Sequence, residues 1–166
     1  MRRGFYILIA AGLLALGFWA FRLFFPSDEK LIRKLLAAVA QTASLNPNDS
    51  ALVKLAGANK LAGFFTADVI INLDVSGWRQ RAIKGRDELV ELAAAARANL
   101  QEATIQLHDI VVEVAANRET ATVQLTALTN INGSADPIFQ LLRMRLKKID
   151  RDWKISYVDS LKTPGV

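Results

Sequence analysis

The only imidazole in the chain stands beside a carboxylate, as His108-Asp109. Together they could act as a general base and the acid that orients it. Neighbours on a regular strand point to opposite faces, so the two meet only across a bulge, which the broken alternation around them permits. The competing account is a structural or exposed histidine. Asn59, Trp78 and Tyr157 are the other side chains with the chemistry to line a ligand site. Trp78 follows Gly77 and precedes Arg79-Gln80-Arg81, where packing over a helical layer competes with ligand contact.

Basic residues fall in two groups. Arg143, Arg145 and Lys147 alternate along one run, and Arg79, Arg81 and Arg86 form a second cluster. A solvated outer sheet face explains them simply. The sharper alternatives are contact with anionic lipid headgroups, or packing of the sheet face on a second copy with compensating acids. Asn72 and Asp74 read as a solvated edge, and Asp87, Glu88 and Glu91 as acid enrichment at a helix start. No cysteine is present, and one histidine cannot build a histidine cage, so thiolate chemistry and the usual zinc sets are excluded. No metal or cofactor is implied.

The elements that would position these groups follow from periodicity. Ser27 caps a helix opened by Asp28-Glu29, with Leu31, Leu35, Ala38, Val39 and Thr42 as its apolar stripe. Asn46-Pro47-Asn48-Asp49 breaks the chain before a second helix over about Ser50 to Phe65. Asp68–Val75 is β-rich, Ser76-Gly77 turns it, and Arg79–Lys84 reads as a short strand. Gly85-Arg86-Asp87-Glu88-Leu89 opens a third helix to about Leu100. The period then changes to two: Ala103–Val114, Thr120–Thr129, Phe139–Ile149 and Trp153–Leu161 read as strands joined by hairpin connections. Ala121, Val123, Leu125, Ala127 and Leu142, Met144, Leu146 form the apolar faces. Helices ahead of such a run indicate an α+β domain, with a curved antiparallel sheet wrapped around about three N-terminal helices as a cone-shaped barrel.

In front of this domain, Gly4–Phe21 is 18 consecutive residues without a charge. As a helix, Gly4 to Phe25 would reach about 33 Å, enough for a hydrocarbon core. Trp19, Phe21, Phe24 and Phe25 suit an interface, Arg22 can snorkel, and no small-residue pair marks a cleavage site. The expectation is a transmembrane signal-anchor over 1–26, and a domain over 27–163 outside the cytoplasm, periplasmic in a bacterium. Setting aside Arg2, Arg3 and Arg22 from the 21 basic residues leaves 18 against 16 acids, a balance of +2. The pI near 9.7 is therefore largely an anchor effect and gives no nucleic-acid footprint.

Helix, helix ending in Phe64-Phe65-Thr66-Ala67-Asp68, strand, Ile83-Lys84-Gly85-Arg86-Asp87-Glu88-Leu89, helix, then four strands ending in Asp150-Arg151-Asp152-Trp153-Lys154-Ile155 resembles the nuclear transport factor 2-like superfamily. That superfamily, with its cystatin-like α+β cone, includes SnoaL-like cyclases and ketosteroid isomerases. The resemblance covers about Asp28 to Leu161. It implies an interior site with acidic and tyrosine side chains, and those have no clear counterparts on the apolar faces here, so none is carried over. The reading is a membrane-tethered, non-catalytic cone domain binding a small apolar ligand or a protein partner. The alternatives are an isomerase-, dehydratase- or cyclase-type enzyme on a lipid-like substrate, and a dimerising module of an envelope complex.

Overall fold

A computed structural model describes residues 27–73, 82–134 and 136–161. The anchor expected over 1–26 lies outside these residues, as do Asp74, the Ser76-Gly77 turn, Trp78, Arg79 and Arg81. Among the described residues no helix is long and apolar enough to cross a membrane.

Three helices and six strands follow in the order α1 (Asp28–Ala43), α2 (Ala51–Ala62), β1 (Phe65–Asn72), β2 (Ala82–Lys84), α3 (Arg86–Asn99), β3 (Ala103–Val114), β4 (Thr120–Ile131), β5 (Ile138–Ile149) and β6 (Asp152–Ser160). Ser27 caps α1 by accepting from the Lys30 amide, and Ser50 caps α2 by accepting from Val53. At the corner into α3 the chain needs φ of +85°, which Gly85 supplies while its amide bonds to the Val69 carbonyl. Glu88 reaches back to the Lys84 amide at 2.8 Å, steadying that start.

The sheet order is β2-β1-β6-β5-β4-β3. The expected antiparallel sheet is a correction: β1 runs parallel to β6, with Ile70 opposite Tyr157 and Ile71 opposite Val158, so the curved sheet is mixed. A hairpin pattern fixes only sequential neighbours. The chain's first and last strands pair here because both carry apolar inward faces that need covering. β3 carries a bulge. Its register to β4 shifts between His108 and Val111, Asp109 adopts φ of +52°, and Arg33 of α1 donates to the Ile110 carbonyl at 3.0 Å. This bend carries the edge strand towards α1.

Period two puts Ala121, Val123, Leu125, Ala127, Leu142, Met144 and Leu146 in the core, as expected, with Val69, Ile71, Ile155 and Val158 beside them. The stripe of α1 is displaced by one residue from the expected one. Ile32 and Leu36 are fully buried, while Leu31, Leu35 and Val39 flank them, half-buried. A wide apolar arc lets either line lead, and the sheet's curvature selects the central one.

Each helix ends on a base from a different element. Arg97 of α3 donates to the Thr42 carbonyl in the last turn of α1, Lys154 of β6 to Gly63 after α2 at 2.6 Å, and Lys54 of α2 to Leu100 after α3 at 3.0 Å. Helix ends leave carbonyls unpaired and carry partial negative charge, so a cation satisfies both needs. Arg97 is 5% exposed, and its guanidinium passes α2 through the gap left by Gly57.

Candidate functional site

The inward face offers little chemistry. Every described inward position on the centre of β4 and β5 is apolar, and the buried polar residues are Asp28, Thr66 and Arg97. Asp28, in the first turn of α1, is locked. Its Oδ2 accepts from Arg118 Nε at 2.8 Å, and its Oδ1 accepts from Lys148 Nζ at 2.5 Å and Trp153 Nε1 at 3.2 Å. The Lys148 bond holds its carboxyl below the usual range against the opposing pull of burial, with Arg118 and Trp153 adding to the effect. A carboxylate so fully engaged is a poor base. Lys148 also sits 5.4 Å from the centre of the Trp153 ring. Burial lowers the Arg97 guanidinium from its usual range while Asp49 opposes the shift, and its hydrogen bond goes to the Thr42 backbone. Both charged groups hold the fold together.

The polar chemistry gathers on the opposite, outer face of the sheet. Glu113, Thr122, Arg145, Tyr157 and Ile70 stand in one register row across five strands. The Arg145 guanidinium lies 4.1 Å from the centre of the Tyr157 ring, and the Tyr157 hydroxyl accepts from Asn72 Nδ2 at 3.0 Å. Asp68, Lys147, Ser156 and Thr120 complete an open groove of ≈ 690 Å³. Asp68 is held below the usual carboxylate range by the Thr66 hydroxyl first, then by its own backbone amide and the Lys147 charge. The groove presents a fixed aromatic face, two acids, two bases and hydroxyls. Asp28 and Asp68 are both held below the usual carboxylate range, which suits hydrogen bonding and ion pairing better than proton transfer.

The sequence candidates scatter. Tyr157 lines the outer groove with Arg145 and Lys147. Arg143 is exposed opposite Asp159 in register. Asn59 is exposed on α2, its amide donating to the Leu55 carbonyl at 3.3 Å, away from the groove. The bulge that would let His108 and Asp109 meet is present, yet both stay exposed and no hydrogen bond or ion pair joins them. Arg86 is spent on the Phe65 carbonyl at 2.7 Å. Trp78, Arg79 and Arg81 lie outside the described residues. Among the described residues no group of three metal-ligating side chains occurs. Sequence reasoning missed Asp28, Arg118, Lys148 and Trp153 as a cluster. Asp28 carried only a helix-start signal, and nothing local links it to partners 90 to 125 residues away.

Residues 52–159 match the SnoaL-like domain family. Among solved structures, the chain is similar to an NTF2-like protein with a cystatin-like fold from Novosphingobium aromaticivorans, at 19% identity over 89% of this chain and 90% of that one, with a TM-score of 0.66. It is similar to a protein of unknown function from Mycobacterium tuberculosis, at 22% identity over 82% and 78%, with a TM-score of 0.61. A scytalone dehydratase candidate from Novosphingobium aromaticivorans follows at 12% identity over 81% and 85%, with a TM-score of 0.57. No curated protein matches the chain. At these identities the likeness shows a shared fold.

Proposed function

The chain belongs to the SnoaL-like domain family, and from that premise we propose that it is a membrane-tethered, non-catalytic cone domain that binds a small apolar ligand or a protein partner. One observation carries this reading: the inward sheet face is apolar, and the charged groups buried beside it, Asp28 and Arg97, are engaged in holding the fold. That face is packed as the core and offers a substrate no acid or base. The tether is the uncharged run from Gly4, preceded by Arg2 and Arg3, which favours an extracytoplasmic domain.

Native mass spectrometry of the full chain, released gently from detergent micelles, tests the ligand. A retained adduct of apolar character is expected. A chain that flies empty at every activation energy overturns the small-ligand arm and leaves the protein partner.

The family includes isomerase and dehydratase members, which supports a second reading: turnover of a lipid-like substrate, with His108 as the imidazole available to it. Turnover unchanged in His108→Ala would refute that version. Dimerisation through the outer sheet face is also proposed. Glu113 and Arg145 flank the threonine-bearing strand β4 in one row. A copy turned over about the β4 axis would set each arginine on the other's glutamate. A dimer mass that survives Glu113→Arg would count against this pairing.

A further inference from the structure

The outer face of the sheet carries charges that the fold itself does not use. Among the described residues no ion pair and no side-chain hydrogen bond engages Arg145, Lys147 or Glu113. The buried charges Asp28 and Arg97 are engaged in the fold; these three are not. Arg145 is nevertheless held in place. Its guanidinium lies over the Tyr157 ring, 4.1 Å from the centre, and Tyr157 is fixed in turn by the bond its hydroxyl accepts from Asn72 Nδ2. A stacked guanidinium keeps its planar fork of donors at the edge, ready to meet an oxyanion with little further ordering.

The register supplies its neighbours. Lys147 stands two residues along β5 on the same face, about 7 Å away, and Thr122 and Thr120 stand opposite the two bases on β4. Ser156 differs, since its hydroxyl donates to the Arg145 carbonyl at 3.1 Å. Two bases and two threonine hydroxyls offer more donors than a carboxylate can use, and they suit the oxygens of a phosphate. Glu113 lies on β3, across Thr122 from Arg145, with about 10 Å between their backbones. Together with Asp68 it balances the two bases, so the groove lining has no net charge. A polyanion, such as a nucleic acid or an anionic lipid surface, gains little there. A molecule that carries one phosphate and one amine a few bonds apart gains at both ends. The exposed apolar residues of this face stand aside from it: Ile70 closes the row beyond Tyr157, while Val111 and Phe139 do not line the groove, and Phe139 is about 20 Å along β5 from Arg145.

We propose that the outer groove binds a small phosphate ester that carries an amine, with the phosphate on Arg145, Lys147 and the threonine hydroxyls of β4 and the ammonium on Glu113. A free phosphoamine and a lipid headgroup of the same chemistry are its two sources. This site is separate from the apolar interior, and the pairing of two copies through Glu113 and Arg145 would compete with it.

Isothermal titration calorimetry of the full chain in uncharged maltoside micelles tests this, with O-phosphoethanolamine, glycerophosphoethanolamine, inorganic phosphate and ethanolamine as titrants. At least one of the two phosphoamines is expected to bind about tenfold tighter than phosphate or ethanolamine alone. The monoester leading indicates a soluble ligand, and the glycerol diester leading indicates a lipid headgroup. Arg145→Gln is expected to weaken that binding about tenfold, and Glu113→Gln to bring it down to the level of inorganic phosphate. Arg143→Gln, on the same face but outside the groove, should leave it unchanged. Inorganic phosphate binding as tightly as the phosphoamines overturns the proposal, because a plain anion patch does that. An equal loss from Arg143→Gln shows that only the charge of the face is felt, and also overturns it. So does the absence of binding by any titrant, whether the groove stays empty or a second copy closes it.

Discussion

Replacing Gly57 with alanine sets two effects against each other. On helix propensity alone, alanine in the middle of α2 should stabilise by about 0.9 kcal/mol. A Cβ at position 57, however, would meet the guanidinium of Arg97, lying 2.8 Å from its Cζ and 3.3 Å from Nη2. That guanidinium is the far end of a flexible side chain, but it is buried and bonded to the Thr42 carbonyl. To make room it must give up a charge-assisted hydrogen bond worth about 1.5–3 kcal/mol. The clash wins, and Gly57→Ala should lose about 1–2 kcal/mol, lowering Tm by about 3–6 °C. The assay is thermal and urea unfolding of the full chain in detergent, followed by circular dichroism. Arg97→Met removes the obstacle, so in that background the same alanine should gain about 0.9 kcal/mol, the propensity value. A Gly57→Ala chain at least as stable as the parent would refute the pinned arginine. Equal losses in both backgrounds would place the cost elsewhere.

Asp28→Asn should cost about 2–3 kcal/mol at pH 7, because it strands Lys148 inside the cluster. Since folding lowers the Asp28 pKa, its contribution is complete above about pH 4 and fades as pH falls through the folded value. The gap between parent and variant should therefore close in acid unfolding curves, and a gap that persists at low pH would disprove the ion-pair origin. Lys154→Met removes the donor to Gly63 and should cost about 1–2 kcal/mol, with faster hydrogen exchange in the last turn of α2. Leu125→Ala should cost about 3–4 kcal/mol in urea melts, since the side chain is fully buried, whereas Phe139→Ala, 69% exposed, should change stability by under about 0.5 kcal/mol.

How far the sequence speaks depends on distance along the chain. The caps at Ser27 and Ser50, the strand Ala103–Val114 and the hairpins that follow are legible because their causes lie within a few residues. The inward faces of β4 and β5 are legible for the same reason: period two needs only the strand itself. The parallel pairing of β1 with β6 leaves no local mark, since side-chain alternation is identical for either strand direction. Basic residues were the hardest to read. Arg86, Arg97, Lys54 and Lys154 look like solvated charges in sequence, yet each serves a backbone carbonyl on another element. The candidate site shows the same division. Tyr157 was visible as a residue type, but its Asn72 and Arg145 neighbours come from strands 85 residues before it and one hairpin away.

The Asp28 cluster also sets the moment at which this protein can fold while it is being made. The first helix turn waits for Arg118, Lys148 and Trp153, 90, 120 and 125 residues later in the chain. Until β6 arrives, β1 has only the three-residue strand β2 beside it, too little to persist in water. The ribosome must therefore release almost the whole chain before the sheet can close. During that interval the nascent helices carry uncovered apolar stripes. A ribosome that stops short of Trp153 leaves a polypeptide without the strand that joins β1 to the rest of the sheet.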